Sequence, residues 1–236
     1  MLSVILSILI FFTASSAIAL GLVRDAFSED SISDWVEEID VAEIDISMFS
    51  SKYDTVSELL RDFLISQDKW NNLSEKKVEL LLKKNSIKDF VEDTLVEYSE
   101  FIFEGKSGKG LTTEVIIDFM KENESSFLST LDPRLDGIRL KFNYDDIEGM
   151  LDENLGDALS LRAIKNNNRT AVSVIQFFAS STFNVILWVL CVVFIGLLAL
   201  LNLKRIQRVF NYVGIPMLIL GIILTILYIT LSALFG

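Results

Sequence analysis

Three uncharged apolar stretches punctuate this chain, at residues 2–23, 183–203 and 213–235. Each is long enough to cross a hydrocarbon core of about 30 Å as a helix. Pro216 falls near the start of the third stretch, where a first helical turn tolerates the missing N–H. Ahead of the second stretch, residues 166–182 mix apolar side chains with Ser173, Gln176, Ser180, Ser181 and Thr182, a pattern that predicts a juxtamembrane helical stalk.

Between the first stretch and the stalk the spacing becomes amphipathic. Residues 25–38 are acidic and weakly patterned, and with the following residues they read as a connector, 24–49. Within it, Ile44, Ile46 and Met48 alternate as in a strand. Asp54 is placed to cap a helix with Val56, Leu59, Leu60, Phe63 and Leu64 inward, and Ser74 another with Val78, Leu81 and Leu82 inward. Ser86 opens the most regular stripe, Ile87, Phe90, Val91, Leu95, Tyr98 and Ile102, which stops at Gly105. Leu111-Thr112 begins a helix with Val115, Ile116, Phe119 and Met120 inward, continued by Phe127, Leu128 and Leu131. After an Asp132-Pro133 turn, Ile138, Leu140 and Phe142 alternate briefly. Asn143 then caps a helix through Ile147, Leu151, Leu155, Ala158 and Leu159, and Asn166–Asn168 interrupts the chain before the stalk.

These patterns predict a mainly all-α integral membrane protein. It has three transmembrane helices and a small extracytoplasmic helical bundle at 50–165, with one short strand pair at most. The first stretch, 1–23, reads as a transmembrane anchor or a signal peptide, since Ala17-Ile18-Ala19 resembles a cleavage site. No Lys or Arg precedes the apolar run, and apolar character continues through Leu20, Leu22 and Val23, which favours a retained anchor.

Charge supplies an orientation. Lys204, Arg205 and Arg208 are the only charges after Arg169, and they form a purely basic loop, 204–212, between the second and third stretches. By the positive-inside rule that loop faces the cytoplasm, leaving residues 24–170 outside a plasma membrane. The outer segment holds all 33 Asp and Glu against 18 Lys and Arg, a net charge of −15, while the tip is +3. That imbalance repels nucleic acid and anionic headgroups and suits a basic partner.

Cysteine and histidine usage narrows the chemistry. Cys191 is the single cysteine and there is no histidine, so imidazole metal sites, Ser-His and Cys-His nucleophiles and histidine switches are excluded. Three Asn-x-Ser/Thr triplets begin at Asn72, Asn123 and Asn168, and a bacterial source would leave them bare. No ionisable group other than Cys191 lies inside a span, which argues against proton relays and ion-coupled transport.

Four motifs invite chemical readings. Gly105-Lys106-Ser107-Gly108-Lys109-Gly110 resembles a phosphate loop, but Glu100 stands where its first glycine belongs and a helix precedes it. Ser74-Glu75-Lys76-Lys77 matches the Ser-x-x-Lys of penicillin-recognising enzymes without their other motifs, and Ser74 reads better as a helix cap. Asp132, Asp136 and Gly137 echo a calcium loop whose third and twelfth positions are Arg134 and Asn143. Asp145, Asp146, Glu148, Asp152, Glu153 and Asp157 form an acidic run in which Asp145, Glu148 and Asp152 share a helical face, best read as solvated.

Within the spans, Gly214 and Gly221 share a face of the third helix and Asn184 offers an amide in the second. Small residues and amides favour close helix packing in membranes, here within the hairpin or against a partner. The layout of anchor, acidic helical exterior and basic-tipped hairpin is similar to that of membrane proteins of Gram-positive bacteria, a likeness of architecture alone. The expected function is a non-enzymatic, membrane-anchored binding module. It would be an accessory or sensor subunit of a cell-envelope complex, with the lipid bilayer and a protein as partners and no nucleic acid, metal or cofactor. The alternative is an envelope-acting hydrolase or transferase working through carboxylates alone.

Overall fold

The structure, a computed structural model, describes residues 2–45, 47, 53–58, 60–61, 75–131, 142–154, 156 and 158–235. It is mostly helical. Its contacts divide it into two units, Met1–Ala26 with Val174–Gly236, and Phe27–Ser173.

The first unit contains three helices long and apolar enough to span a membrane, α1 (Leu2–Ala26), α10 (Ser181–Leu201) and α11 (Ile206–Phe235). These make the chain a candidate multi-pass membrane protein. Helix α1 packs on both others, and α10 and α11 touch each other least. The α1 face that does this carries Leu6, Ile10, Ala14 and Ala17, with Ile10 and Ala14 at 0% exposure. Their i, i+4, i+8 spacing makes a stripe that narrows to alanine, which lets backbones approach. It meets Cys191, Leu198 and Leu220 in one cluster. The hairpin expected from sequence is therefore held together largely through the N-terminal helix.

Helix α11 starts at Ile206, not at Val213, so the expected loop 204–212 is mostly helical. Val209, Tyr212 and Val213 recur at helical spacing and pack against the membrane cluster. Asn202 and a 3-10 turn at Leu203–Arg205 separate α10 from α11. This moves Pro216 from a first turn into the helix interior. An interior proline removes the N–H that would bond the carbonyl four residues back, here Tyr212. The Ser7 hydroxyl of α1 donates to that carbonyl at 2.6 Å, and Ser7 is buried. One polar side chain thus satisfies the acceptor that proline orphans, as apolar surroundings require. Ser7→Ala should cost about 1 kcal/mol, in the range of hydrogen bonds between membrane helices. On a Pro216→Ala background the helical N–H returns, and the same change should cost less. Thermal unfolding of the four proteins in detergent measures the coupling; strictly additive losses would contradict it.

In the second unit, α2 (Glu29–Glu38) occupies the stretch expected to be connector. Ser28 caps it by accepting from the Ser31 N–H, and Ile32 and Val36, one turn apart, are each 1% exposed. Two apolar residues at i, i+4 suffice to dock this acidic helix on α4 (Asn85–Phe103). Beyond it a 3-10 turn, Val41–Glu43, buries Val41 and Ala42. Asp40 caps that turn through the Ala42 N–H and pairs with Lys83 at 2.9 Å. The ammonium holds the Asp40 carboxyl below its ordinary value, helped by the Ala42 N–H.

The main core joins that turn to α3 (Glu75–Leu82), α5 (Thr113–Glu122), α6 (Glu124–Leu131) and α7 (Tyr144–Asn154). Val78, Leu81, Leu82, Phe127, Leu131 and Ile147 are buried, as their spacing predicts. In α5 the buried apolar residue is Ile117, with Val115, Ile116, Phe119 and Met120 only partly covered. A smaller cluster joins Phe101 of α4, Leu161 of α8 (Leu161–Asn167) and Val172 of α9 (Arg169–Ala179).

Several boundaries shift from their expected places. The helical turn after residue 55 is capped by Thr55, whose Oγ1 accepts from the Glu58 N–H, and not by Asp54. Helix α4 begins at Asn85 without a side-chain cap, and the Ser86 hydroxyl is buried without a partner among the described residues. Its most buried residue is Phe101, while Leu95 is 40% exposed. Helix α7 stops at Asn154, and Gly156, at φ +50°, bonds its N–H to the Leu151 carbonyl. A glycine in left-handed conformation ends a helix this way, so Ala158 and Leu159 lie beyond it and Leu159 is exposed. Among the described residues extended pairing is limited to isolated bridges, Asp45 with Thr55 and Gly110 with Ser160. Ile46, Met48, Ile138 and Leu140, on which the expected strand pair rests, lie outside the described residues, as do Leu59, Phe63, Leu64 and Leu155.

Candidate functional site

Basic side chains are the scarcer charge here, and three of them sit on helix C-termini. Lys77 donates to the Leu131 carbonyl ending α6, Lys88 to the Glu37 carbonyl of α2 at 2.6 Å, and Arg24 to the Ala179 carbonyl ending α9 at 3.3 Å. Each meets orphan carbonyls at the negative end of a helix dipole. Lys77 is the lysine of the Ser-x-x-Lys motif, so its ammonium has a structural partner. Ser74 lies outside the described residues, as do the calcium-loop residues Asp132, Asp136 and Gly137.

The phosphate-loop look-alike is also engaged from within. Helix α4 ends at Phe103 and the chain turns at Gly105, φ +69°. The Glu97 carboxylate then takes the backbone N–H of Lys109 at 2.8 Å on one oxygen and that of Gly110 at 3.0 Å on the other. Two adjacent N–H groups converging on an anion make a nest of the kind that binds phosphate, but here a carboxylate of the same domain fills it. Gly110, at φ +67°, pairs with Ser160, and a Cβ there would stand 2.9 Å from the Leu159 carbonyl. Tyr98 closes the arrangement, its hydroxyl donating to the Leu159 carbonyl and accepting from the Leu111 N–H. Burial raises the Tyr98 pKa above its ordinary value, opposed by the Leu111 N–H. Glycine and lysine in this loop serve a clasp between α4 and the segment leading into α8.

A concavity lies between α5 and α7, a cleft of about 350 Å³. Thr112, Thr113, Glu114, Ile117, Asp118 and Lys121 line one wall, and Glu148 and Asp152 the other. Thr112 caps α5, accepting from the Val115 N–H. Buried Thr113 donates to an Asp152 carboxylate oxygen at 2.6 Å across the cleft. Four carboxylates against one ammonium make the walls attractive to a cationic group. At the rim, Lys121 lies over the Tyr144 ring at 5.4 Å. Burial, and then the neighbouring Glu124 charge, push the Tyr144 hydroxyl far above its ordinary range.

Of the acidic run, only Glu148 and Asp152 line this cleft. Asp145 and Asp146 are exposed at the start of α7, and Asp146 accepts from the Asn143 amide. Asp157 lies outside the described residues. Among the described residues no three His, Cys, Asp or Glu side chains group closely enough to hold a metal. Sequence reasoning missed Thr113 and Glu97. Neither carries a local signal, because each acts on a partner 39 or 13 positions away.

In the membrane unit, Asn184 stands beside Gly21 of α1, its amide nitrogen 3.8 Å from where a glycine Cβ would be. Its carbonyl oxygen is buried without a partner among the described residues. This places it at the α1–α10 contact. Among the described residues nothing stands within 4 Å of where a Cβ would be at Gly214 or Gly221, and Leu220 packs inward, 6% exposed. Arg205 and Arg208 are exposed, on the turn and on the first part of α11; of Lys204 only the backbone is described. Comparison with known proteins finds no match, whether among family models, curated proteins or solved structures.

Proposed function

We propose that this chain is a non-enzymatic, membrane-anchored binding module, an accessory or sensor subunit of a cell-envelope complex. Its acidic helical domain stands on the extracytoplasmic side of a plasma membrane, and α1 is retained as a permanent anchor. The observation that carries the reading is the placement of charge. All 33 Asp and Glu lie between Asp25 and Asp157, the second and third apolar helices are separated by a basic tip, and the cleft between α5 and α7 carries four carboxylates. Retention of α1 is supported by its stripe of buried residues, which forms the contact surface for α10 and α11. The cleft chemistry suits a lysine or arginine side chain of a protein partner, reached by electrostatic steering.

A second reading is favoured by one observation. Glu148 and Asp152 face Asp118 and Glu114 across the same cleft, and carboxylates alone can perform acid–base hydrolysis or group transfer. Mild-detergent affinity purification from the native host separates the two. The binding reading expects a stoichiometric partner that is lost on Glu148→Gln with Asp118→Asn. It is overturned if the protein purifies alone and those substitutions abolish an envelope phenotype while folding is intact.

A further inference from the structure

Helix α9 has an apolar side that is left exposed among the described residues. Val174, Ile175, Phe177 and Phe178 are 48%, 55%, 51% and 52% exposed. On the opposite side Val172 is buried with Phe101 and Leu161. Arg169 is the only charged residue of α9, and Ser173 and Gln176 lie to the polar side. Scattered exposed hydrophobics are ordinary, but four within five residues of one short helix form a contiguous patch.

Two features say what covers it. The first is continuity with the span. Ser180 takes an extended conformation, φ −68° and ψ 151°, and caps α10 by accepting from the Phe183 N–H. The axis changes direction at this single residue, so α9 does not simply lengthen α10. At 21 residues α10 already reaches about 31 Å, the full hydrocarbon thickness. The Phe177 and Phe178 rings pack on Phe183, at centroid separations of 5.3 and 4.8 Å, so apolar surface runs unbroken from α9 onto the span.

The second feature fixes depth. Arg24 is the first charged side chain after the apolar run of α1, and such a group sits at the headgroup level. Its guanidinium donates to Ala179, the last residue of α9. The end of α9 is thereby tied to the boundary between hydrocarbon and headgroups.

We infer that α9 is an interfacial helix, lying at the headgroup–acyl boundary of the bilayer with Val174, Ile175, Phe177 and Phe178 inserted among lipid chains. Its Phe177 and Phe178, flanked by Val174 and Ile175, give it the aromatic and aliphatic face that an interfacial helix buries at that boundary. The inference rests on the membrane reading of α1, α10 and α11, and the experiment reports on both separately.

Full-length protein carrying Cys191→Ala is reconstituted into vesicles of phosphatidylcholine and phosphatidylglycerol. A nitroxide is attached to one introduced cysteine at a time: Ser173→Cys, Val174→Cys, Ile175→Cys, Gln176→Cys, Phe177→Cys, Phe178→Cys, and Val193→Cys within α10. Power-saturation paramagnetic resonance then compares collision with oxygen and with a water-soluble nickel chelate. Positions 174, 175, 177 and 178 should favour oxygen at shallow depth, 173 and 176 should favour nickel, and 193 should favour oxygen at greater depth. Nickel access at all six α9 positions, with 193 still deep, would put α9 in water and overturn the inference alone. Exclusion of both reagents at 174, 175 and 178 would mean a protein surface covers the patch, and would also overturn it. Nickel access at 193 would overturn the membrane reading itself.

Discussion

Val78→Asp should leave the Phe27–Ser173 unit without a cooperative native state. Val78 is fully buried on α3, at 0% exposure, among Leu81, Leu82, Leu131 and Ile147. A carboxylate there loses its hydration without gaining a partner, and the site must either hold a charge or open. Losses of this kind exceed about 4 kcal/mol and approach the whole stability of an ordinary domain. Hydrogen exchange of residues 75–131 in full-length protein should show protection collapse. Leu95→Asp is the matched control. The regular stripe on α4 assigns Leu95 to the core, but it is 40% exposed, so the substitution should change stability by less than about 0.5 kcal/mol. Equal loss of protection in both variants would refute the packing described for α4.

Ala14→Leu should have the largest effect in the membrane unit. Ala14 is fully buried in the cluster with Cys191, Leu198 and Leu220. Three added carbons have nowhere to go without separating α1 from its neighbours, at a cost of about 1–3 kcal/mol. Gly221→Leu adds more volume, yet none of the described residues lies within 4 Å of its Cβ position, so it should melt with the parent protein in detergent. A drop for Gly221→Leu in the presence of a co-purifying partner alone would assign that glycine face to an interface between chains.

The membrane helices and most of the core were legible from one-dimensional pattern, for identifiable reasons. Uninterrupted apolar runs announce spans without tertiary context, and the i, i+3, i+4 spacing around Val78 and Phe127 admits one inward face. The pattern failed where few apolar residues carry the burial. Helix α2 docks through Ile32 and Val36 amid five acidic residues of the same helix, and charge density there masks amphipathicity. It failed again on α4, whose apolar residues surround much of the helix, so that Phe101 and Leu95 cannot be told apart without knowing what packs where. The onset of α11 was hidden because Arg208 and Pro216 look like loop and helix-start signals. Only the Ser7 hydroxyl, 205 positions away from Tyr212, shows how an interior proline is accommodated. For the candidate site, sequence pointed to the acidic residues of α7. It did not show that Glu148 and Asp152 face Asp118 and Glu114 of α5, a pairing made by tertiary packing.

The proposal stands or falls on sidedness. In intact cells expressing Cys191→Ala protein, a membrane-impermeant maleimide tests single cysteines introduced as Ser107→Cys, in the exposed loop after α4, and Gln207→Cys, at the start of α11. The acidic domain is proposed to face outward and the basic tip inward. Ser107→Cys should therefore label in intact cells, and Gln207→Cys only after permeabilisation. Labelling of Gln207→Cys in intact cells with protection of Ser107→Cys would invert the orientation and contradict the account.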